Sequence, residues 1–255
     1  MTITSKENEK LKLVRKLAQR KHREREGLFV TEGEDLLKAG RGTGLEPTIL
    51  LTREGEGLGG EEVERQLLDS VSQLGSGTRV IAIWPLPRAS DEAKRPTASP
   101  MGYTAGRLGG EGAVCVYLHG VGDPGNVGSI VRSAGALADA WVALGADCAD
   151  PYGSKAVRAS MGAVFSVPVS RCELADTPAP RVSLVARGGE ASPLPGARTI
   201  CLGAEREGLP SEIVDATDAT WTIPMHPEAA ESLGVAAAAA IALSRIGSPL
   251  REERA

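Results

Sequence analysis

The segment from His119 to Asp147 contains Gly120-x-Gly122-x-x-Gly125. That spacing lets backbone approach a pyrophosphate at the start of a helix. An apolar run, Ala113 to Leu118, precedes it like a strand. A helix-like run follows, then the strand-like Trp141 to Leu144, with Asp147 where a ribose-binding carboxylate would fall. The chemistry so implied is hydride transfer with a dinucleotide, and three features argue against it. Pro124 stands inside the turn and has no N–H to offer a pyrophosphate. Asn126 and Arg132 put polar groups at the start of the following helix. Two further glycine-marked loops, Leu202 to Pro210 and Ile223 to Ala238, follow strand-like runs near the C-terminal end, and a dinucleotide fingerprint predicts neither.

The elements that position these loops alternate. In the first part, Phe29 to Gly33 reads as a strand, Glu34 to Ala39 as a short helix and Thr48 to Thr52 as a strand. Glu61 to Leu74 carries helical spacing, and Arg79 to Trp84 reads as a strand. This is a small α/β unit. Pro85 to Gly110 holds four prolines and no periodic apolar face, as a linker does. Beyond it, Ala113 to Leu118, Trp141 to Leu144, Val182 to Arg187, Thr199 to Ala204 and Thr220 to Met225 are short, continuous apolar runs. Such runs suit strands of a parallel sheet covered on both faces. An alanine-rich helix starts at Leu233. The expected division is a domain over 1–95, a linker over 96–110 and a second α/β domain over 111–255.

Composition narrows the class. The chain has 255 residues, 42% of them hydrophobic, enough for one large or two modest domains. No apolar run reaches the roughly 18 residues of a membrane span. The polar N-terminus, MTITSKENEK, does not read as a signal peptide, so the expected location is the cytoplasm, with no membrane partner. Cys115, Cys148, Cys172 and Cys201 and the three histidines, His22, His119 and His226, show no ligand spacing. They predict buried structural thiols and no metal. The net charge of −4 hides an asymmetry: Lys10 to Arg25 holds eight Lys or Arg and one acid, Glu24. Leu11, Val14 and Leu17 recur there at three-residue spacing, so one helical face can pack while the rest stays cationic. Arg15, Lys16, Arg20, Lys21 and Arg23 are the candidate phosphate contacts.

Three glycine-marked segments in order carry a resemblance. D-P-G-N-V-G-S-I-V-R-S-A, L-G-A-E-R-E-G-L and I-P-M…E-S-L-G-V-A resemble the three motifs of the SpoU (TrmH) family of S-adenosylmethionine-dependent RNA 2′-O-ribose methyltransferases, within the SPOUT superfamily. Arg158 to Val169 matches a stretch usual between the first two. The N-terminal N-x-x-L-K-x-V-R-K-L and F-V-T-E-G are similar to the family's accessory RNA-gripping domain, a small α/β unit of ribosomal-protein type. The resemblance implies a C-terminal trefoil knot in a parallel-sheet domain, S-adenosylmethionine as cofactor, a homodimer and an RNA partner. It favours rRNA, 23S above all, over tRNA.

The resemblance also implies roles. Arg132, Asn126, Glu205 and Ser232 are the expected catalytic residues. Arg132 would clamp the target phosphate and stabilise the developing alkoxide, because a guanidinium is too basic to accept a proton. Glu205 would orient Arg132 or meet the cofactor. Ala186, Arg187, Gly188, Leu202, Gly203, Gly208, Ile223, Met225 and Leu233 are the expected cofactor residues. Gly188, Gly189, Gly203 and Gly208 suit loops where backbone crosses close to backbone. One departure stands out: where the family's third motif reads S-L-N-V, this chain has Ser232-Leu233-Gly234-Val235. The lost amide opens the alternative of a non-catalytic RNA-binding relative, such as a ribosome assembly factor.

Overall fold

The computed structural model describes residues 2–74, 77–87, 113–226 and 232–246. The expected linker over 96–110 lies outside them.

Two helices open the chain, α1 (Glu9–Leu17) and α2 (Arg20–Glu26). The basic run is therefore not one helix. It breaks at Ala18 and Gln19, where α1 ends and the chain turns. Asn8 caps α1, its side chain accepting from Lys10 N–H at 2.9 Å, which satisfies one of the free donors of the first turn. Next come β1 (Leu28–Glu32), α3 (Glu34–Gly42), β2 (Ile49–Arg53), β3 (Glu61–Val63), α4 (Arg65–Val71) and β4 (Val80–Pro85). The stretch expected to be helical from Glu61 is thus divided. Glu61 to Val63 pairs in parallel with β2, and the helix begins only at Arg65.

The four strands form one sheet in the order β1-β4-β2-β3. Successive side chains on a strand face opposite ways. From β4, Ile81 and Ile83 pack with Leu11, Val14 and Leu17 of α1 and Leu67, Leu68 and Val71 of α4. Val80, Ala82 and Trp84 pack on the other face, with Leu36 and Leu37 of α3.

The second part contains β5 (Val114–Leu118), α5 (Pro124–Leu137), β6 (Ala140–Leu144), α6 (Ser154–Ala159), a 3-10 turn at Ala163–Phe165 and β7 (Val169–Arg171). It continues through β8 (Arg181–Leu184), β9 (Thr199–Leu202), α7 (Ser211–Asp215), β10 (Ala219–Trp221) and α8 (Val235–Ile246). Its six strands are all parallel, in the order β10-β8-β9-β5-β6-β7. Both faces are covered, as the apolar runs require. Val114, Val116, Leu118, Val142 and Ile200 meet α5 and α8. Cys115, Tyr117, Ala143 and Cys201 meet Leu174, Leu209 and Ile213.

The two sheets share a core. Phe29 and Trp84 of the first part pack with Val157, Val164 and Phe165 of the second, the Trp84 and Phe165 rings lying edge to face at 4.8 Å between centroids. Aromatic pairs in this arrangement contribute beyond their buried area. A buried ion pair joins Arg23 of α2 to Asp150, and Ser154 hydrogen-bonds Gln73.

Candidate active site

The register aligns the carboxyl ends of all six parallel strands. Trp221 lies beside Leu184, Leu118 beside both Leu202 and Leu144, and Leu144 beside Arg171. Open parallel sheets bind ligands along this edge, and the glycine-marked loops all leave from it.

The first loop shows why the dinucleotide chemistry fails here. Asp123 caps α5, its Oδ1 accepting from Gly125 N–H at 2.6 Å, and its carboxylate pairs with Lys155 at 3.1 Å. That N–H and Lys155 hold the carboxyl below the usual carboxylate range. The turn already carries a negative charge where a pyrophosphate would need to sit, and Pro124 supplies no donor.

The second loop is a tight hairpin. Ala204 and Gly208 exchange both backbone hydrogen bonds, at 3.1 and 3.0 Å, which places Glu205, Arg206 and Glu207 at its tip. Gly208 sits at φ 72°, a left-handed conformation that suits glycine. Gly203 lies so close to the Gly208 backbone that a Cβ there would overlap it. From the tip, Glu205 Oε1 accepts from Asn126 Nδ2 at 2.7 Å, tying the start of α5 to the loop after β9.

Beside this hairpin lies a cavity of about 370 Å³, within the usual range of small-molecule sites. It brings together Ala186, Leu202, Gly203, Gly208, Ile223, Met225, Ser232 and Leu233. Arg187 and Gly188 are exposed in the same loop as Ala186 but do not line it. Leu184, Val185, Leu209, Val235 and Ala238 also line it; their strand-end and helix positions pass for plain core in the sequence. The residues suit S-adenosylmethionine. Leu184, Leu202, Ile223, Leu233 and Val235 offer apolar walls for an adenine and methylene groups. Glu205 and Glu207 offer carboxylates for a cation, and Gly203 keeps the backbone free of a side chain.

Arg132 is exposed on α5 and makes no hydrogen bond or ion pair among the described residues. Glu205 is bonded to Asn126, not to Arg132. Gly234 has open space where a Cβ would stand.

Among the candidate RNA contacts, Arg15, Lys16, Arg20 and Lys21 are exposed, Arg20 with Glu24 as an ion-pair partner at 2.6 Å. Arg23 is different. It is only 5% exposed, it donates through Nη1 to Leu17 O at 2.7 Å and Ala18 O at 2.9 Å, and it donates through Nε to Asp150 at 3.1 Å. It closes the C-terminal end of α1, where a cation is favoured, and it has no reach to spare for a phosphate. The expectation of an RNA contact at Arg23 is corrected accordingly.

Cys115, Cys148 and Cys201 are buried and all four cysteines are free. Burial pushes the Cys201 thiol up to about 12 and Cys172 to about 11, so neither is a thiolate nucleophile near neutrality. Among the described residues no group of three or more His, Cys, Asp or Glu is placed to hold a metal, and no helix is long and apolar enough to cross a membrane.

The chain was compared with known proteins. The model of the SpoU rRNA Methylase family matches residues 113–244, and that of the MRM3-like substrate binding domain matches residues 8–83. The 23S rRNA (guanosine(2553)-2′-O)-methyltransferase RlmP of Bacillus subtilis (strain 168) is 27% identical over 257 residues, covering 94% of this chain and 96% of its own length. An AdoMet-bound rRNA methyltransferase from Sinorhizobium meliloti matches with a TM-score of 0.78 at 26% identity, over 96% of this chain and 97% of that one. The SpoU methyltransferase AviRb from Streptomyces viridochromogenes, in complex with AdoMet, matches in fold, with a TM-score of 0.76 at 24% identity over 94% and 97% of the two chains. The parallel sheet with its cavity at the carboxyl edge is the SPOUT methyltransferase architecture, and the chain belongs to the SpoU rRNA methylase family.

Proposed function

We propose that this chain is an S-adenosylmethionine-dependent RNA ribose 2′-O-methyltransferase acting on 23S rRNA. The observation that carries the reading is the junction of two loops at one sheet edge. The cavity suited to the cofactor lies over the ends of β8, β9 and β10, and the Asn126–Glu205 pair ties its hairpin to the start of α5 after β5, with Arg132 further along that helix. The relatives' activities support the same chemistry.

Methyl transfer to a ribose hydroxyl is an in-line displacement. It needs the nucleophile aligned, its proton removed and its charge stabilised. S-adenosylmethionine, when bound, supplies an electrophilic methyl group on a sulfonium. Arg132, exposed and without a carboxylate partner among the described residues, clamps the target phosphate and stabilises the oxygen as it gains charge. A guanidinium is a poor proton acceptor, so the hydroxyl proton leaves to a phosphate oxygen or to water. Glu205 fixes the Asn126 amide, which presents its remaining donor and its carbonyl to the substrate. Ser232, at the cavity rim, supplies a hydroxyl beside the position that Gly234 leaves without an amide.

The expected partition into a substrate domain over 1–95 and a methyltransferase domain over 111–255 is part of this proposal, as are a trefoil knot around the loops after β9 and β10, a homodimer and a cytoplasmic location. The paired packing of α5 and α8, with exposed Ala136 and Ala237, supports a helical dimer face. Sedimentation at micromolar concentration is expected to report a dimer.

The test is a map of ribose methylation across rRNA and tRNA from cells with and without the gene. One 23S ribose is expected to lose its methyl group in the deletion strain. Unchanged maps, with the purified protein transferring no methyl to deproteinised rRNA, would make the non-catalytic RNA-binding reading correct.

A further inference from the structure

A second cavity, of about 300 Å³, lies along the same sheet edge. The strand order decides what it adjoins. The first cavity sits over β10, β8 and β9, and the loop that begins α5 rises from β5. The second is built on the ends of β6 and β7, through Leu144 and Arg171, and is closed from the other side by Arg20 of α2 and by Pro87 after β4. It is therefore a cleft between the two parts of the chain, one to two interstrand steps from β5, or about 5–10 Å.

Its chemistry is mixed in a specific way. Arg23 and Asp150 neutralise one another within the lining. Arg171 donates one bond to Cys148 O at 3.1 Å and pairs with no carboxylate among the described residues. Among the described residues Arg20 pairs only with Glu24, four residues on in the same helix, exposed and also lining the cleft, a solvent-screened pairing that a phosphate can displace. Pro87, Pro151 and Tyr152 supply apolar and aromatic surface. Two exchangeable guanidinium groups beside flat apolar walls suit a nucleotide: phosphate on the guanidinium, base against the wall.

We infer that this cleft is a subsite for a nucleotide flanking the methylated ribose, its phosphate held by Arg171 and Arg20 and its base against Tyr152 and the prolines. The assignment rests on the methyltransferase reading. An RNA strand laid along the carboxyl edge places the reacting ribose over the β5 loop and a neighbour one or two positions along in the cleft. Arg20 then binds as part of a composite site with Arg171, not as one more member of a diffuse basic face.

Crosslinking tests this directly. Ser170 lines the cleft and is half-buried; Ser170→Cys, carrying a photoreactive aryl azide, is irradiated with deproteinised 23S rRNA. The crosslinked nucleotide is expected within three positions of the ribose that the same protein methylates. In parallel, Arg171→Gln and Arg20→Gln are expected to weaken binding to that rRNA several-fold and to lower its salt slope by about one unit each, with S-adenosylmethionine affinity unchanged. Circular dichroism establishes that both variants fold, and the crosslink map remains decisive if one does not. Crosslinks far from the methylated ribose, or an unchanged salt slope in the folded double variant, would overturn the subsite while leaving the methyltransferase reading intact. Dependence of rRNA binding on Arg171 without methyl transfer to any RNA would sink the methyltransferase reading and leave an RNA-binding cleft. Saturation by micromolar free AMP or UMP, with rRNA affinity indifferent to Arg171→Gln, would make it a free-nucleotide site and overturn the assignment.

Discussion

Glu205 Oε1 accepts from Asn126 Nδ2 at 2.7 Å, across 79 residues of sequence, and among the described residues Arg132, six positions further along α5, has no carboxylate partner. The carboxylate that the motif spacing offered to the arginine is spent on the amide instead. In the proposed mechanism Arg132 meets the substrate as a cation that no described carboxylate neutralises.

Arg132→Ala is therefore expected to cut methyl transfer by about a hundredfold or more, the scale for removing one preorganised charge-stabilising donor. The melting temperature and S-adenosylmethionine affinity should not move, because the side chain is exposed and lies outside the cavity lining. Arg132→Lys should restore little, since an ammonium lacks the planar fork. Single-turnover rates with calorimetric cofactor binding check all three; a variant that methylates at the parent rate would remove Arg132 from the mechanism.

Gly234→Asn replaces the residue by which this chain departs from the family motif. A Cβ at Gly234 would meet nothing within 4 Å, so the variant should fold with an unchanged melting temperature. Its turnover should rise, the amide adding a polar contact at the cavity rim. A fall in rate at unchanged stability would mean that the site has adapted to glycine.

Arg23→Met leaves Asp150 without its buried partner. The expected loss is about 3 kcal/mol in urea denaturation, with the C-terminal end of α1 losing the donor to Leu17 O and Ala18 O. Arg23→Met combined with Asp150→Leu should recover most of that loss, since two apolar groups leave no stranded charge. Equal stability of the single variant and the parent would contradict the ion pair.

The remaining basic face is tested separately. Arg15→Gln, Lys16→Gln and Lys21→Gln together should lower the salt slope of rRNA binding by about three units, one for each lost phosphate contact. Cofactor affinity should stay the same. An unaltered slope would make the face merely solvated.

Asp123 gives a pH signature. Its carboxyl is held below its ordinary value by Gly125 N–H and Lys155. A depressed folded-state value means that its contribution to stability is present above the ordinary carboxylate value and is lost as pH falls through the folded one. Asp123→Ala should therefore lower the melting temperature at pH 7, with the gap to the parent narrowing at acid pH below about 4. A gap independent of pH would show that the cap does not act through its charge.

Much of the second sheet is legible in the sequence, because each buried strand is a short apolar run bounded by glycine, proline or charge. β7 is not, since Val169–Arg171 is three residues long at the sheet edge with only Val169 buried. α6 and α7 escape for a similar reason, at six and five residues. The helix expected from Glu61 fails because the three residues Glu61 to Val63 are taken by pairing with β2, a tertiary choice that periodicity cannot see. Arg23 is hidden among seven other cations; its partner is 127 residues away. The cavity-facing loops are legible because glycine is forced there by backbone crossing backbone, as at Gly203, whereas the carboxylate that Asn126 meets depends on how two distant loops fold together.

The core shared by Phe29, Trp84, Val157 and Phe165, with Arg23 locked to Asp150, joins the basic face to the methyl-transfer edge as one solid piece. The separation between grip and reaction is then a fixed length, and the molecule works as a caliper. With phosphates gripped by the N-terminal helices as proposed, a ribose would be chosen by how far it lies from them in the folded RNA. The same nucleotide sequence in a refolded RNA would be out of reach. Lengthening the RNA helix between the two points by one base pair would move the methyl mark to a neighbouring nucleotide or abolish it.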